Sequence, residues 1–375
     1  MTHKERLLAA LRRETPDRVP MPLRMWKFLG KYYGRGTPLI DKILRAHDEF
    51  DIDIWYSGIG FPLPCFHPDG NAWRDDVEVE LKHEVRGNRN YWERTIHTPD
   101  GDLHDRKFGL ILKEGSGTGP EIIEPLVKDP GRDIPLLRYM QPDPARSNFD
   151  GAHELDRQIG DMGLLTGSIY SPIDCRDVLR PDDFMVLYHD DPGAFREIVD
   201  IGAAGMMAET ERLLLEGFKV HQVWWFYASP SYGWGPGIYE EMFLPHLERH
   251  VELVHKHGGT YVYYDDGKVS RFLDMIVGAG VDAVMTLTPP PMGDADPATI
   301  KAKYGDRIAL MGGIDAVNEV YLSNPDEIRR MTERRMAVYK PGGGYIFDGS
   351  NSLVYETPPE NVRALADAGR EYGVY

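Results

Sequence analysis

The sequence predicts an α/β chain folded as a single (β/α)8 TIM barrel over residues 1–375, with an antiparallel hairpin inserted between the second and third strands. Short apolar runs alternate with helical patterns along the chain, the order a parallel barrel requires. One stretch, residues 71–125, departs from that order by alternating polar and β-forming residues.

Leu7, Leu8 and Leu11 put an apolar stripe on a first helix, which Pro16 ends. Val19–Arg24 reads as the first strand and Ile52–Tyr56 as the second. Within the insertion, Asn88-Arg89-Asn90 and Thr98-Pro99-Asp100-Gly101 are turn signals, and residues 126–157 read as a helical or irregular return. Leu164–Ile169 is the third strand, followed by a helix over Ala194–Glu216. Val220–Phe226, rich in valine and aromatic residues, is the fourth. A long helix over Ile238–His257 stops at Gly258-Gly259, where a helix C-terminus commonly sits. Thr260–Tyr264 is the fifth strand, with a helix over Val269–Ala279 behind it. Ala283–Thr286, Ile308–Met311 and Gly344–Phe347 complete the eight.

Composition narrows the function classes. The 60 acidic and 43 basic side chains leave a formal charge of −17, which repels phosphate backbones and anionic lipid. No nucleic acid and no membrane partner is expected, and solubility is the simplest reading of the charge. The two cysteines, Cys65 and Cys175, form neither a disulfide framework nor, alone, a zinc cage. No apolar stretch approaches the ~18 residues of a membrane span, and the charged, amphipathic start lacks a signal-peptide core. A cytoplasmic enzyme is expected, of unspecified oligomeric state.

Several phrases along the chain resemble the uroporphyrinogen decarboxylase superfamily. Lys4-Glu5-Arg6-Leu7-Leu8-Ala9-Ala10-Leu11 followed by Thr15-Pro16-Asp17-Arg18-Val19-Pro20 is similar to the start of its members. Arg94-Thr95-Ile96-His97-Thr98-Pro99-Asp100-Gly101-Asp102-Leu103 resembles its corrinoid-linked methyltransferase branch. So do Tyr304 through Asp315, Gly342-Gly343-Gly344-Tyr345-Ile346 and Thr357-Pro358-Pro359-Glu360-Asn361-Val362. The resemblance implies a barrel with its site at the C-terminal strand ends and two broad chemistries. One decarboxylates the acetate arms of a tetrapyrrole. The other moves methyl groups to or from a corrinoid protein, often with zinc held by a His-x-Cys pair after strand five and a cysteine after strand eight.

The chain departs from both patterns. Tyr264-Asp265-Asp266-Gly267 stands where the zinc branch has His-x-Cys-Gly, and Asn351 stands at the later cysteine. Thiol-activating zinc needs nitrogen and sulfur donors. Leu23-Arg24-Met25-Trp26-Lys27-Phe28 replaces the decarboxylase phrase Met-Arg-Gln-Ala-Gly-Arg-Tyr, leaving few cations for a substrate with eight carboxylates.

Strand ends supply the candidate residues: Arg24, Trp26, Tyr56, Tyr170, Phe226, Tyr227, Tyr264, Asp265, Asp266, Asp315, Asp348 and Asn351. Adjacent carboxylates in a desolvated mouth repel, so one of Asp265 and Asp266 holds a proton near neutral pH or binds a cation. Helix capping is the alternative for them, and a turn before Gly349 for Asp348. The glycines before Asp315 imply close backbone approach to a ligand or a packed neighbour. Tyr227, Tyr232 and Trp234 lie beyond the fourth strand and form either a binding wall for a flat apolar substrate or a tightly packed loop. His246 and His250 are an i, i+4 pair for which a solvated helix face is the commoner explanation than metal. His67, after Pro64-Cys65-Phe66, is an alternative residue to reach the site from the second strand's loop.

The expected function is methyl transfer from a small, possibly methoxyaromatic donor to a corrinoid on a separate carrier protein. Tyr264, Asp266 and Asp348 would assist the departing phenolate, while Arg24, Trp26, Tyr170, Tyr227, Tyr232, Trp234 and Asn351 bind the donor. The alternatives are a decarboxylase or lyase with Arg24 and Lys27 on the substrate carboxylate, and a non-catalytic ligand-binding barrel. Any metal would be a hard cation on Asp265 or Asp266, Asp348 and Asn351. The competing expectation is no metal, with the carboxylates hydrogen-bonded to Tyr264, Ser350 and backbone N–H groups.

Overall fold

The computed structural model describes residues 1–34, 36–59, 74–111, 121–141, 143, 148–173, 178–349 and 351–375. Cys65, His67, Cys175 and Ser350 lie outside them. Two compact units emerge: Met1–Ile59 with Phe149–Ile169 and Leu213–Tyr375, and Gly60–Asn148 with Tyr170–Arg212.

The strands in chain order are β1 (Ile54–Ile59), β2 (Glu78–Arg86), β3 (Arg89–Thr98), β4 (Gly101–Leu110), β5 (Glu121–Glu124), β6 (Gly163–Tyr170), β7 (Val220–Trp224), β8 (Thr260–Tyr264), β9 (Ala283–Leu287), β10 (Ala309–Ile314) and β11 (Tyr345–Gly349). The first unit carries a seven-stranded parallel sheet in the order β1-β6-β7-β8-β9-β10-β11. Every strand expected from the sequence is present except the first.

That exception has a physical cause. Residues 19–24 run without a turn or bend as an extended segment, with Pro20 carbonyl accepting from Phe347 N–H at 2.9 Å and Met21 carbonyl from Asp53 N–H at 3.2 Å. Pro20 and Pro22 have no N–H to return, so the segment touches both neighbours without forming a ladder. Seven strands, not eight, are therefore paired in this sheet among the described residues.

Period-2 alternation fills the inside of the sheet. Leu164, Val220, Val262, Tyr264, Ala283, Met285, Ala309, Met311 and Ile346 join one buried cluster with Leu7, Ala10 and Leu11 of the first helix. That helix, His3–Leu11, begins in a capping box formed by Thr2 and Glu5. Its apolar face reaches the sheet interior, which explains a stripe of leucines so near the chain start.

The expected helix over Ile238–His257 is divided. A π-turn at Tyr239–Phe243 precedes the α-helix Leu244–Lys256. Pro245, lacking an N–H for the carbonyl four residues back, sits at the junction. The solvated face expected for His246 and His250 is corrected too: they are 7% and 0% exposed. His250 Nδ1 meets Tyr261 Oη at 3.2 Å, and burial pulls its pKa down to about 3, so the ring is neutral.

In the second unit the expected hairpin is a four-stranded antiparallel sheet, β2-β3-β4-β5. Its first turn falls on Gly87 and Asn88, one residue earlier than the sequence signal, because the first central position needs positive φ and Gly87 has φ 61°. Arg94 and Asp105 form a buried two-point ion pair across β3 and β4 at 3.0 and 2.8 Å.

Candidate active site

Arg24, at the end of the extended segment, organises the strand-end site. Its backbone N–H donates to Asp348 Oδ1 on β11 at 3.0 Å, and its carbonyl accepts from Leu353 N–H at 2.8 Å. Its Nη2 donates to Tyr264 Oη on β8 at 3.1 Å, and Tyr264 in turn donates to Asp266 Oδ1 at 2.8 Å. The guanidinium carbon lies 4.7, 4.9 and 5.7 Å from the ring centres of Tyr264, Trp26 and Trp224. Among the described residues, Arg24 Nη1 is buried without a hydrogen-bond partner.

Register explains the meeting. Trp224 and Tyr264 are cross-strand partners at the ends of β7 and β8, their ring centres 4.1 Å apart. A cavity of about 250 Å³ opens beside them. Arg24, Trp26, Trp55, Tyr56 and Trp224 line it together with apolar Leu29, Leu39, Ile43 and Ala46.

Burial raises the pKa of all three carboxylates. Burial pushes Asp348 up to about 7 against the nearby Arg24 charge and two backbone donors, and Oδ2 has no partner among the described residues. Burial also raises Asp266, opposed by the Tyr264 hydrogen bond and the charges of Arg24 and Lys27. Asp265 is pushed to about 7 by burial although Ser229 and Ser231 donate to it at 2.8 and 2.9 Å. Its side chain ties down the loop after β7 and caps no helix. Behind it Thr286, a β-branched residue at φ 63°, donates to the Asp265 carbonyl.

Asp348 gives a first testable consequence. Its folded pKa lies above the free carboxylate value, so the stability of the protonated form is fully present below about pH 4 and is lost as pH rises through about 7. Asp348→Asn keeps an acceptor for Arg24 N–H and removes the titration. Relative to the parent chain, its urea midpoint should gain between pH 5 and pH 8.5. Parallel curves for the two chains would contradict the assignment.

The structure brings together Arg24, Trp26, Tyr264, Asp266 and Asp348. Tyr227 and Tyr232 form a ring cluster with Phe226, with centre distances of 4.0 and 4.7 Å along the chain Phe226–Tyr227–Tyr232. Trp234 is 4% exposed, stacks edge-on against Phe243 and donates to the Tyr227 carbonyl at 2.9 Å, the geometry of a packed loop. Asn351 Oδ1 accepts from Ser352 N–H within its own turn. Tyr170 ends β6 and belongs to the second unit. Asp315 accepts from Val317 and Asn318 N–H and caps the following turn. A Cβ at Gly312 would lie 2.6 Å from Leu287 N, so that glycine serves a packed neighbour. Sequence reasoning misses Trp55 and Trp224 as wall residues, and their inward position on parallel strands of one sheet is the available signal.

The zinc site implied by the resemblance does not fit. Tyr264 spends its proton on Asp266, Asp265 is bound by two serines, and a guanidinium cation lies against Tyr264. No cluster of three His, Cys, Asp or Glu side chains suited to a metal occurs among the described residues. No helix there is long and apolar enough to cross a membrane.

The C-terminal strand ends of a parallel α/β sheet, where this cationic and aromatic cluster lies, are where α/β-barrel enzymes keep their sites. The family model "Uroporphyrinogen decarboxylase (URO-D)" matches residues 104–372, and the chain belongs to that family. The uroporphyrinogen decarboxylase of Pseudomonas putida strain KT2440 is 26% identical over 283 residues, covering 70% of this chain and 74% of that protein. The Chromohalobacter salexigens enzyme is 27% identical over 194 residues, covering 49% and 50%. A Coxiella burnetii enzyme is 28% identical over 148 residues, covering 38% and 39%. The chain thus spans half or less of the last two relatives. In structure it is similar to a methyltransferase from Methanosarcina mazei, with TM-score 0.68, 17% identity and 99% of both chains covered.

Proposed function

We propose that the chain is an enzyme that takes the methyl group from a small aromatic methyl ether and delivers it to a corrinoid on a separate carrier protein. The observation that carries this reading is Arg24, which lines a cavity of about 250 Å³ together with Trp26, Trp55, Tyr56 and Trp224 and has one guanidinium nitrogen, Nη1, buried and unpartnered among the described residues. Such a cavity suits one ring and is small for a tetrapyrrole. The same reading takes residues 19–24 as the eighth stave of a (β/α)8 barrel, its ladder interrupted by two prolines.

The reaction breaks the bond between methyl carbon and aryl oxygen and leaves negative charge on that oxygen. When present, the corrinoid supplies the nucleophile that accepts the methyl group. In this reading the Arg24 guanidinium is the donor that holds the developing aryloxide. Tyr264, held by Asp266, positions Arg24 and does not itself protonate the substrate. Asp348, half protonated near pH 7 and bound to the Arg24 backbone, is the proton source this reading assigns to the departing oxygen.

The test is incubation of the purified chain with reduced corrinoid carrier and a panel of methoxyaromatics, following methylcobalamin by absorbance. Methylation with at least one donor is expected. No methylation by a folded chain with any donor counts against the proposal.

A second reading has a specific observation in its favour: the unpartnered Arg24 nitrogen also suits a carboxylate. It makes the chain a decarboxylase of a small aromatic acid and predicts carbon dioxide release without any corrinoid.

A further inference from the structure

We propose that β2 is a docking edge for a second copy of this chain, the two β2 strands pairing antiparallel about a two-fold axis through His83. β2 is the outer strand of its sheet and pairs with β3 in an unbroken nine-residue register from Glu78↔His97 to Arg86↔Arg89. Neither a bulge nor a proline blunts it, and its other side has no strand partner among the described residues. Natural proteins usually protect such edges.

Hairpin geometry fixes which backbone groups face outward. Arg86 and Arg89 flank a two-residue turn and therefore exchange hydrogen bonds. The even-numbered residues of β2 bond inward to β3. The N–H and C=O groups of Val79, Leu81, His83 and Val85 point to the open edge. Their side chains also share one face, on which Leu81 and Val85 are 40% and 54% exposed. His83 stacks on Trp92 between them, ring centres 5.4 Å apart.

Charge selects the partner and the register. The even-numbered residues read Glu78, Glu80, Lys82, Glu84, Arg86. With two copies centred on His83, Glu80 faces Arg86 of the other copy, Lys82 faces Glu84, and each relation repeats by symmetry. Leu81 then faces Val85 on the apolar side. Moving the centre to Lys82 sets Glu80 against Glu84 and Lys82 against itself. Moving it to Glu84 sets Lys82 against Arg86, and moving it to Leu81 sets Glu78 against Glu84. Of these four registers, only the His83-centred one sets no like charges against each other, and it is the one that opposes two different charge pairs within β2, each twice. In the single copy Lys82 leans on Glu93 at 3.3 Å and Arg86 on Glu84 at 2.6 Å, through side chains 41% to 74% exposed, so these pairs exchange readily.

An edge contact of this length is small, so a reversible dimer is expected. Sedimentation of the full-length chain across the micromolar range should show it. Lys82→Glu or Glu84→Lys alone places like charges across the axis twice and should raise the dissociation constant about tenfold or more. Joining the two changes restores opposite charges across the axis, while the carboxylate introduced by Lys82→Glu still opposes Glu93 within each copy. Dimerisation should return, a result that an in-chain effect would not produce. Independently, His83→Cys should give an oxidised dimer, because directly opposed hydrogen-bonded residues lie about 5.5 Å apart at Cα, within disulfide reach. Glu78→Cys should not. A monomer at every concentration, a dimer indifferent to Lys82→Glu, or failure of the double exchange to rescue would each overturn the proposal. Capture of an unrelated strand in place of a second copy would overturn it as well.

Discussion

Replacing Asp53 with alanine is expected to lower the stability of the folded chain by about 3–5 kcal/mol, the range for breaking a buried ion pair. Asp53 is 1% exposed and accepts from Arg6 Nη1 at 3.0 Å, Arg18 Nη1 at 3.3 Å and Met21 N–H at 2.6 Å, with His3 Nδ1 at 3.0 Å. It joins the first helix, the extended segment and the start of β1. Burial pushes its pKa up, but His3, Arg18, Met21 N–H and Arg6 together hold it below the usual carboxylate value. Its contribution is therefore present above about pH 4 and is lost as pH falls through that depressed value. Urea unfolding at neutral pH measures the effect, and a loss under ~1 kcal/mol would mean the network is incidental.

Arg24→Met should lower kcat by about 10²–10³, the usual cost of removing a donor aimed at a developing oxyanion. The form of the loss matters as much as its size. If Arg24 holds an aryloxide that exists only late in the reaction, kcat and kcat/KM fall together and KM hardly moves. If it anchors a substrate carboxylate, KM rises instead. Arg24→Lys keeps the charge but loses the planar fork whose Nη2 meets Tyr264, and should recover only part of the rate. Steady-state kinetics of both variants, with thermal melts to confirm folding, separate the cases. Unchanged kinetics would remove Arg24 from the site.

Much of this architecture was legible in the residues. Alternation and glycine-bounded apolar runs located seven strands, because buried parallel strands must be apolar and short. The first strand misled because Val19–Arg24 has strand composition, while two prolines deny it a ladder. His246 and His250 looked solvated because sequence shows polarity but not what packs on the helix. In the site, Tyr264, Asp266 and Asp348 were readable from their position at strand ends. Arg24 was readable as a strand-end candidate, but its place against Tyr264 depends on segments 240 residues apart in the chain. The loop after β7 showed the limit of composition. Trp234 packs inward on Phe243, whereas Trp55 and Trp224, inside ordinary strands, line the cavity.

Ionisation of a bound nitrophenol tests most directly whether the Arg24 site stabilises an aryloxide. Nitrophenol changes colour on losing its proton, so its pKa can be read spectroscopically while it occupies the cavity. A stabilising guanidinium should lower the bound pKa by about one unit, equivalent to ~1.4 kcal/mol. Arg24→Met should abolish that shift. Bound nitrophenol that ionises at the same pH as free nitrophenol, or at a higher one, in the parent chain would contradict the claim.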